Sequence, residues 1–234
     1  MNLTNLYAAI IDLDGTMVDT MGDFAVAINL MLRDLGCAAV DREVVALRVG
    51  KGSENLVNSV LNHVLAKEIP TLSAINIEAR ALGLYQQHYR SINGQHAQVY
   101  PGVVDGLQAL QGVGLKLACL TNKPLTFALE LLRLKGLDGF FSQVFGGDSF
   151  ERKKPDPLPV IQTCKALGTS TARTLMVGDS SNDAQAARAA GCAVVLVTYG
   201  YNHGEPIASA GADATVDSLA QLASLLAFGD KNGR

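Results

Sequence analysis

Short runs of apolar residues recur along the chain, each ending in small, polar or acidic residues. They are YAAIIDLD (7–14), LKLACLT (115–121), FSQVFGG (141–147), TLMVGD (174–179) and AVVLVT (193–198). Runs this short, apolar on both faces and closed by turn residues, predict buried parallel strands. Helical patterns separate most of them, at Lys123–Gly136, Leu158–Leu167 and Ala184–Ala190. The alternation predicts an α/β fold with a doubly wound, Rossmann-like parallel sheet. Ligands of such sheets bind beyond the carboxyl ends of the strands.

The stretch from Thr20 to Asn93 breaks the alternation. Phe24, Ile28, Met31 and Leu35 share one helical face, as do Leu56, Val60 and Val64, then Leu61 and Leu65, then Leu82, Tyr85 and Tyr89. Gly36, Gly50, Gly52 and Pro70 punctuate these segments. The pattern predicts an α-helical cap domain at residues 18–96, inserted into a core of residues 1–17 and 97–234. VYPGV (99–103) reads as the return to the core, and GDKNGR (229–234) as a frayed tail.

Composition narrows the function. Hydrophobic residues are 48% of 234, enough for a sizeable core. The net charge is −3 with no basic stripe, which argues against nucleic acid and anionic membranes as partners. No apolar stretch approaches the roughly 20 residues of a membrane span. The four cysteines form no CxxC pair and read as reduced structural thiols, the usage expected of a cytoplasmic protein.

Candidate chemistry gathers where the strands end. Asp12 and Asp14, two apart in extended chain, start on the same side; Gly15 permits a tight departure, and Thr16 adds a hydroxyl and an N–H. Two such carboxylates stay ionised together only beside a positive charge. The plain alternative is an Asx turn after a strand. GDSSND (178–183) presents Asp179 and Asp183 after another strand. If these strands are neighbours, Asp12 and Asp179 offer Mg²⁺ two hard oxygen ligands. Thr121 and Asn122 end a third strand. Lys154 precedes Pro155, Pro157 and Pro159, which oppose helix and fix its approach.

Together, and in this order, the segments resemble the haloacid-dehalogenase-like hydrolase superfamily. DLDGT is similar to its first motif, Thr121 to its second, Lys154 to its third and GDSSND to its fourth. LTNKP, KPDPLP and TYGYNHGEP further resemble bacterial phosphoglycolate phosphatases, although the last carries no evident chemical role. The resemblance implies that Asp12 is nucleophile and Mg²⁺ ligand. It implies that Asp14 is the acid–base, with its backbone carbonyl on the metal. Asp179 would be the other ligand and Asp183 its support, while Thr121, Asn122 and Lys154 hold the phosphoryl group, with Gly15 and Thr16 beside it. The implied reaction is hydrolysis of a small phosphorylated metabolite, 2-phosphoglycolate foremost. A sugar phosphate such as N-acetylmuramate 6-phosphate, or pyrophosphate, stands as the alternative. A receiver-like signalling module is a competitor of another class, opposed by the cap and by Asp14.

Arg48 and Lys51 flank a glycine-rich loop that opens a helix, an arrangement suited to a substrate carboxylate. An ordinary glycine turn with solvated charges fits that loop equally. Asp19 either lines the entrance or caps the helix from Thr20, the second being favoured. His203 lies in a loop able to approach the cleft, but packing is the simpler expectation.

Overall fold

A computed structural model describes residues 5–66, 77–222 and 224. Pro70 and the 229–234 tail lie outside the described residues. Among the described residues, six strands form one parallel sheet. They are β1 (Ala8–Ile11), β4 (Lys116–Leu120), β5 (Gln143–Phe145), β6 (Thr174–Gly178), β7 (Ala193–Val197) and β8 (Ala214–Val216). The order is β5-β4-β1-β6-β7-β8, so β1 is central, and the chain winds to one side of it through β4 and to the other through β6.

Alternate residues of β1 feed two cores. Ala9 and Ile11 pack with Leu107 and Leu110 of α5 (Val103–Gly112) and with Leu131 of α6 (Leu125–Leu134). Ala8 and Ile10 pack with Val160 and Cys164 of α7 (Leu158–Leu167) and with Ala184 and Ala187 of α8 (Ser181–Ala190). This two-sided burial is why the strands read as continuous apolar runs. All four cysteines are buried. No helix among the described residues is long and apolar enough to cross a membrane.

The remaining helices, α1 (Met21–Asp34), α2 (Arg42–Ala46), α3 (Ser53–Leu65) and α4 (Ile77–Ile92), form a cap with its own core. Ile28, Met31, Val60, Leu61 and Tyr85 are buried there, with Phe127 of α6 packed beneath. Short antiparallel strands β2 (Val18–Asp19) and β3 (Gln98–Val99) tie the outgoing and returning chains together.

Asp23 fastens this junction. Its fully buried carboxylate accepts the Gly94 and His96 N–H groups, each at 2.7 Å. A Cβ on neighbouring Gly22 would lie 2.5 Å from the His96 carbonyl oxygen, so glycine permits the crossing. Asp23→Ala leaves two part-buried backbone donors without their charged partner and is expected to cost about 2 kcal/mol. The urea midpoint measures it; a loss under about 0.5 kcal/mol would place the junction's strength elsewhere.

Candidate active site

Register sets the geometry. Ile11 is level with Cys119 of β4 on one side and with Val177 of β6 on the other. The residues that leave the sheet next, Asp12, Thr121 and Asp179, therefore emerge side by side. Asp12 remains tied to β6 by its N–H to the Val177 carbonyl at 2.9 Å. A tight turn follows, in which the Gly15 N–H donates to the Val18 carbonyl at 2.9 Å.

Gly15 has φ +83°, and a Cβ there would fall 2.2 Å from Asp179 Oδ2. Thr16 Oγ1 donates to Asp179 Oδ1 at 3.2 Å. The turn thus presses on Asp179, as do the Tyr201 backbone N–H, which donates to Oδ2, and Gly200, where a Cβ would meet Asp179 Cβ at 2.2 Å. Gly15→Ala would displace this carboxylate. Mg²⁺ titrated calorimetrically is expected to bind the variant about 10-fold or more weakly than wild type. An unchanged affinity would contradict that placement.

Asp183 sits in the first turn of α8, and its Oδ2 accepts from the Ser180 N–H at 3.2 Å, the Ser180 hydroxyl at 2.9 Å and the Asp179 N–H at 3.3 Å. Its Oδ1 receives Lys154 Nζ at 2.7 Å. Lys154 also donates to the Leu120 carbonyl at 2.8 Å and lies 3.0 Å from Asp12 Oδ1, an ion-pair distance without hydrogen-bond alignment. Burial works against the ammonium, but Asp12 and Asp183 outweigh it and raise its pKa.

Asp12, Asp179 and Asp183 are all buried, and a ligand oxygen from each lies within 4.8 Å of the others. Burial pushes the Asp12 carboxyl up to about 7, with Lys154 opposing and Asp183 adding to the rise. Burial, then the charges of Asp183 and Asp12, pushes Asp179 well above the carboxylate range. The cluster resists full ionisation on Lys154 alone. Its crowded hard oxygen donors fit a divalent cation, which would stabilise the ionised form.

Between core and cap lies a cavity of about 30 Å³, lined by Asp12, Asp14, Thr121, Asn122 and Lys123 from the core and by Phe24, Val49, Gly52 and Leu56 from the cap. Thr121 is buried and its Oγ1 accepts the Lys123 N–H at 3.2 Å. The Asn122 amide donates to the Lys154 carbonyl at 2.8 Å and across to the Gly50 carbonyl of the cap at 3.0 Å. Asn182 grips that same Gly50 oxygen at 3.2 Å, with His203 Nε2 3.3 Å from its amide. His203 thus packs against the cap loop.

Arg48 is not brought into this cleft. Its guanidinium donates to the Val44 and Ser59 carbonyls at 2.6 and 3.2 Å and meets His63 at 3.2 Å, which ties α2 to α3. Lys51 is exposed and does not line the cavity. The Asp19 carboxylate accepts the Met21 N–H at 3.1 Å at the start of α1 and receives the Tyr201 hydroxyl. The TYGYNHGEP segment accordingly supplies Tyr201 to Asp179 and Asp19, and His203 to the cap loop. These are contacts that its sequence did not disclose.

Lys123 was not singled out by sequence reasoning. Its Nζ lies 2.9 and 3.2 Å from the two Asp14 oxygens and 2.7 Å from Tyr89 Oη. It also lies 4.8 and 4.7 Å from the Phe24 and Tyr89 ring centres. The sole signal was its place in LTNKP, directly after two candidate phosphate donors.

A capped α/β sheet with a buried acidic cluster at its carboxyl edge defines the class of protein. The chain belongs to the haloacid dehalogenase-like hydrolase family, whose model matches residues 9–197. It is 42% identical over 220 residues to a phosphoglycolate phosphatase of Thiobacillus denitrificans, covering 94% of this chain and 95% of that one. It is 44% identical over 219 residues to a plasmid phosphoglycolate phosphatase of Cupriavidus necator, covering 94% and 92%. A crystal structure described as a predicted phosphoglycolate phosphatase from Haemophilus somnus superposes with a TM-score of 0.91 at 32% identity, covering 95% of this chain and 98% of that one.

Proposed function

We propose that the protein is a Mg²⁺-dependent phosphatase that hydrolyses 2-phosphoglycolate to glycolate and phosphate through an aspartyl-phosphate. The observation that carries this reading is the convergence of Asp12, Asp179, Asp183 and Lys154 in one buried cluster, with Asp14 on the same cavity wall. The similarity to phosphoglycolate phosphatases supports the substrate.

In this mechanism an Asp12 carboxylate oxygen attacks phosphorus and the bond to the ester oxygen breaks. Asp14 gives that oxygen a proton, and glycolate leaves. Asp14 then takes a proton from water, whose oxygen attacks phosphorus; the bond to Asp12 breaks and phosphate leaves. Lys154 and the donors at Thr121 and Asn122 meet the charge on the transferring group. Asp12 and Asp179 would hold Mg²⁺, with the Asp14 backbone carbonyl, while Asp183 braces the Asp179 loop and Lys154. The cation would supply charge neutralisation at the phosphoryl oxygens.

A phosphate-release screen over small phosphorylated metabolites, in Mg²⁺ and then in chelator, tests the proposal. Multiple turnover of 2-phosphoglycolate that stops in chelator is expected. A single phosphorylation without turnover would fit the receiver-like alternative instead.

A further inference from the structure

We propose that Lys123 reads a second negative charge on the substrate, so that the site selects phosphomonoesters whose leaving alkoxide carries a nearby carboxylate. The proposal rests on the phosphatase reading above and assigns its specificity to a residue outside the four family motifs.

The side chain is held with unusual care for a lysine. It is 2% exposed, and two aromatic rings, Phe24 and Tyr89, flank its ammonium. Both rings come from the cap, whereas Lys123 belongs to the core, so the cation is enclosed where the two meet. Phe24 lies against Tyr89 at 5.7 Å between ring centres, and Tyr89 against Phe127 at 5.1 Å, which fixes the wall. The Tyr89 hydroxyl aims the ammonium from one side and Asp14 from another.

Position gives the cation its meaning. Lys154 stands beside Asp12, where the phosphoryl group transfers. Lys123 stands beside Asp14, which protonates the leaving oxygen in the proposed mechanism. Whatever the substrate carries beyond its ester oxygen must lie on the Lys123 side. Among the described residues lining the cavity, Lys123 is the one cation, since Arg48 is engaged within the cap and Lys51 is exposed. Apolar walls from Val49 and Leu56 lower the local dielectric and strengthen its attraction for an anion. Gly52 and Ser53, at the amino end of α3, line the same cavity, and that end of the helix also favours negative charge. An ammonium has three donors, so one can turn to a carboxylate while others keep Asp14 and Tyr89.

The test compares 2-phosphoglycolate with ethyl phosphate, which matches its length and lacks the carboxylate. The measured quantity is the ratio of the two kcat/KM values in Mg²⁺, because damage to Asp14 lowers both and cancels. Wild type is expected to prefer 2-phosphoglycolate by at least about 10²-fold, and Lys123→Met to lose about 30-fold or more of that ratio through KM for 2-phosphoglycolate. Tyr89→Phe keeps the ring and drops the hydroxyl that aims the ammonium; a loss of about 3- to 10-fold in the ratio is expected. It carries the test if Lys123→Met does not fold. A ratio unchanged in a folded Lys123→Met, with both esters slowed alike, would mean that Lys123 serves Asp14 alone, and would overturn the proposal. With Lys123→Met unfolded, an unchanged ratio in Tyr89→Phe would overturn it equally. A wild type that releases phosphate from neither ester would reject the 2-phosphoglycolate reading on which the proposal rests.

Discussion

Asp12→Asn is expected to lower phosphate release by about 10⁴-fold or more while the protein stays folded. The amide keeps the shape of the side chain and removes the attacking oxygen's charge. The neighbouring carboxylates are otherwise engaged: Asp14 with Lys123, Asp183 with Lys154 and the Ser180 backbone, and Asp179 with Thr16 and Tyr201. Stability should move the other way. Burial already makes the charged form of Asp12 costly, with the Asp183 charge adding to that cost. In chelator the variant should therefore unfold at a temperature equal to or above that of wild type, and gain less from added Mg²⁺. Near-wild-type turnover would remove Asp12 from the nucleophile's place.

Lys154→Met should damage both activity and fold. The lysine is 3% exposed and answers two carboxylates at 3.0 and 2.7 Å. Removing one partner of a buried ionic cluster leaves the others uncompensated, at a cost of about 3–5 kcal/mol. Loss of a charged donor at the transferring group should cost about 10²–10³ in kcat besides. The cation gives this prediction a signature. With Lys154 gone, three crowded acids depend on a divalent ion alone, so Mg²⁺ should raise the melting temperature of the variant more than that of wild type. Equal shifts in the two proteins, or a loss below about 1 kcal/mol in chelator, would contradict the role assigned to Lys154.

Much of this was legible in the chain because two-sided burial writes itself as unbroken apolar runs. β1, β4, β6 and β7 follow from that pattern, and α7 spans the segment its periodicity predicts. Asp12 and Asp179 were legible for a related reason: each follows directly on such a run, at the sheet edge where ligands bind. Other features left no such trace. β2 and β3 have two residues each and β8 three, too short for any period to show. α5 follows Gly102 without a polar cap residue and blends into the VYPGV return.

Arg48 looked like a ligand-binding residue because its partners are invisible in one dimension. The Val44 and Ser59 carbonyls meet its guanidinium only once α2 and α3 pack. Lys123 was overlooked for the converse reason. A lysine between asparagine and proline reads as a solvated turn, and only Phe24 and Tyr89, contributed by the distant cap, enclose it. The sequence reads Gly15 as permitting a tight departure, and its second demand, room for the Asp179 carboxylate, arises from a contact across 164 positions of sequence.

The most direct measurement is to trap the covalent intermediate. During turnover of 2-phosphoglycolate in Mg²⁺, rapid quenching with borohydride reduces a phosphorylated aspartate to homoserine, which peptide mass spectrometry locates. The account predicts homoserine at position 12 in wild type and none there when Mg²⁺ is chelated. Homoserine at position 14, 179 or 183, or an unmodified Asp12 peptide from enzyme that is turning over and trapped under conditions that capture a control aspartyl-phosphate, would contradict it.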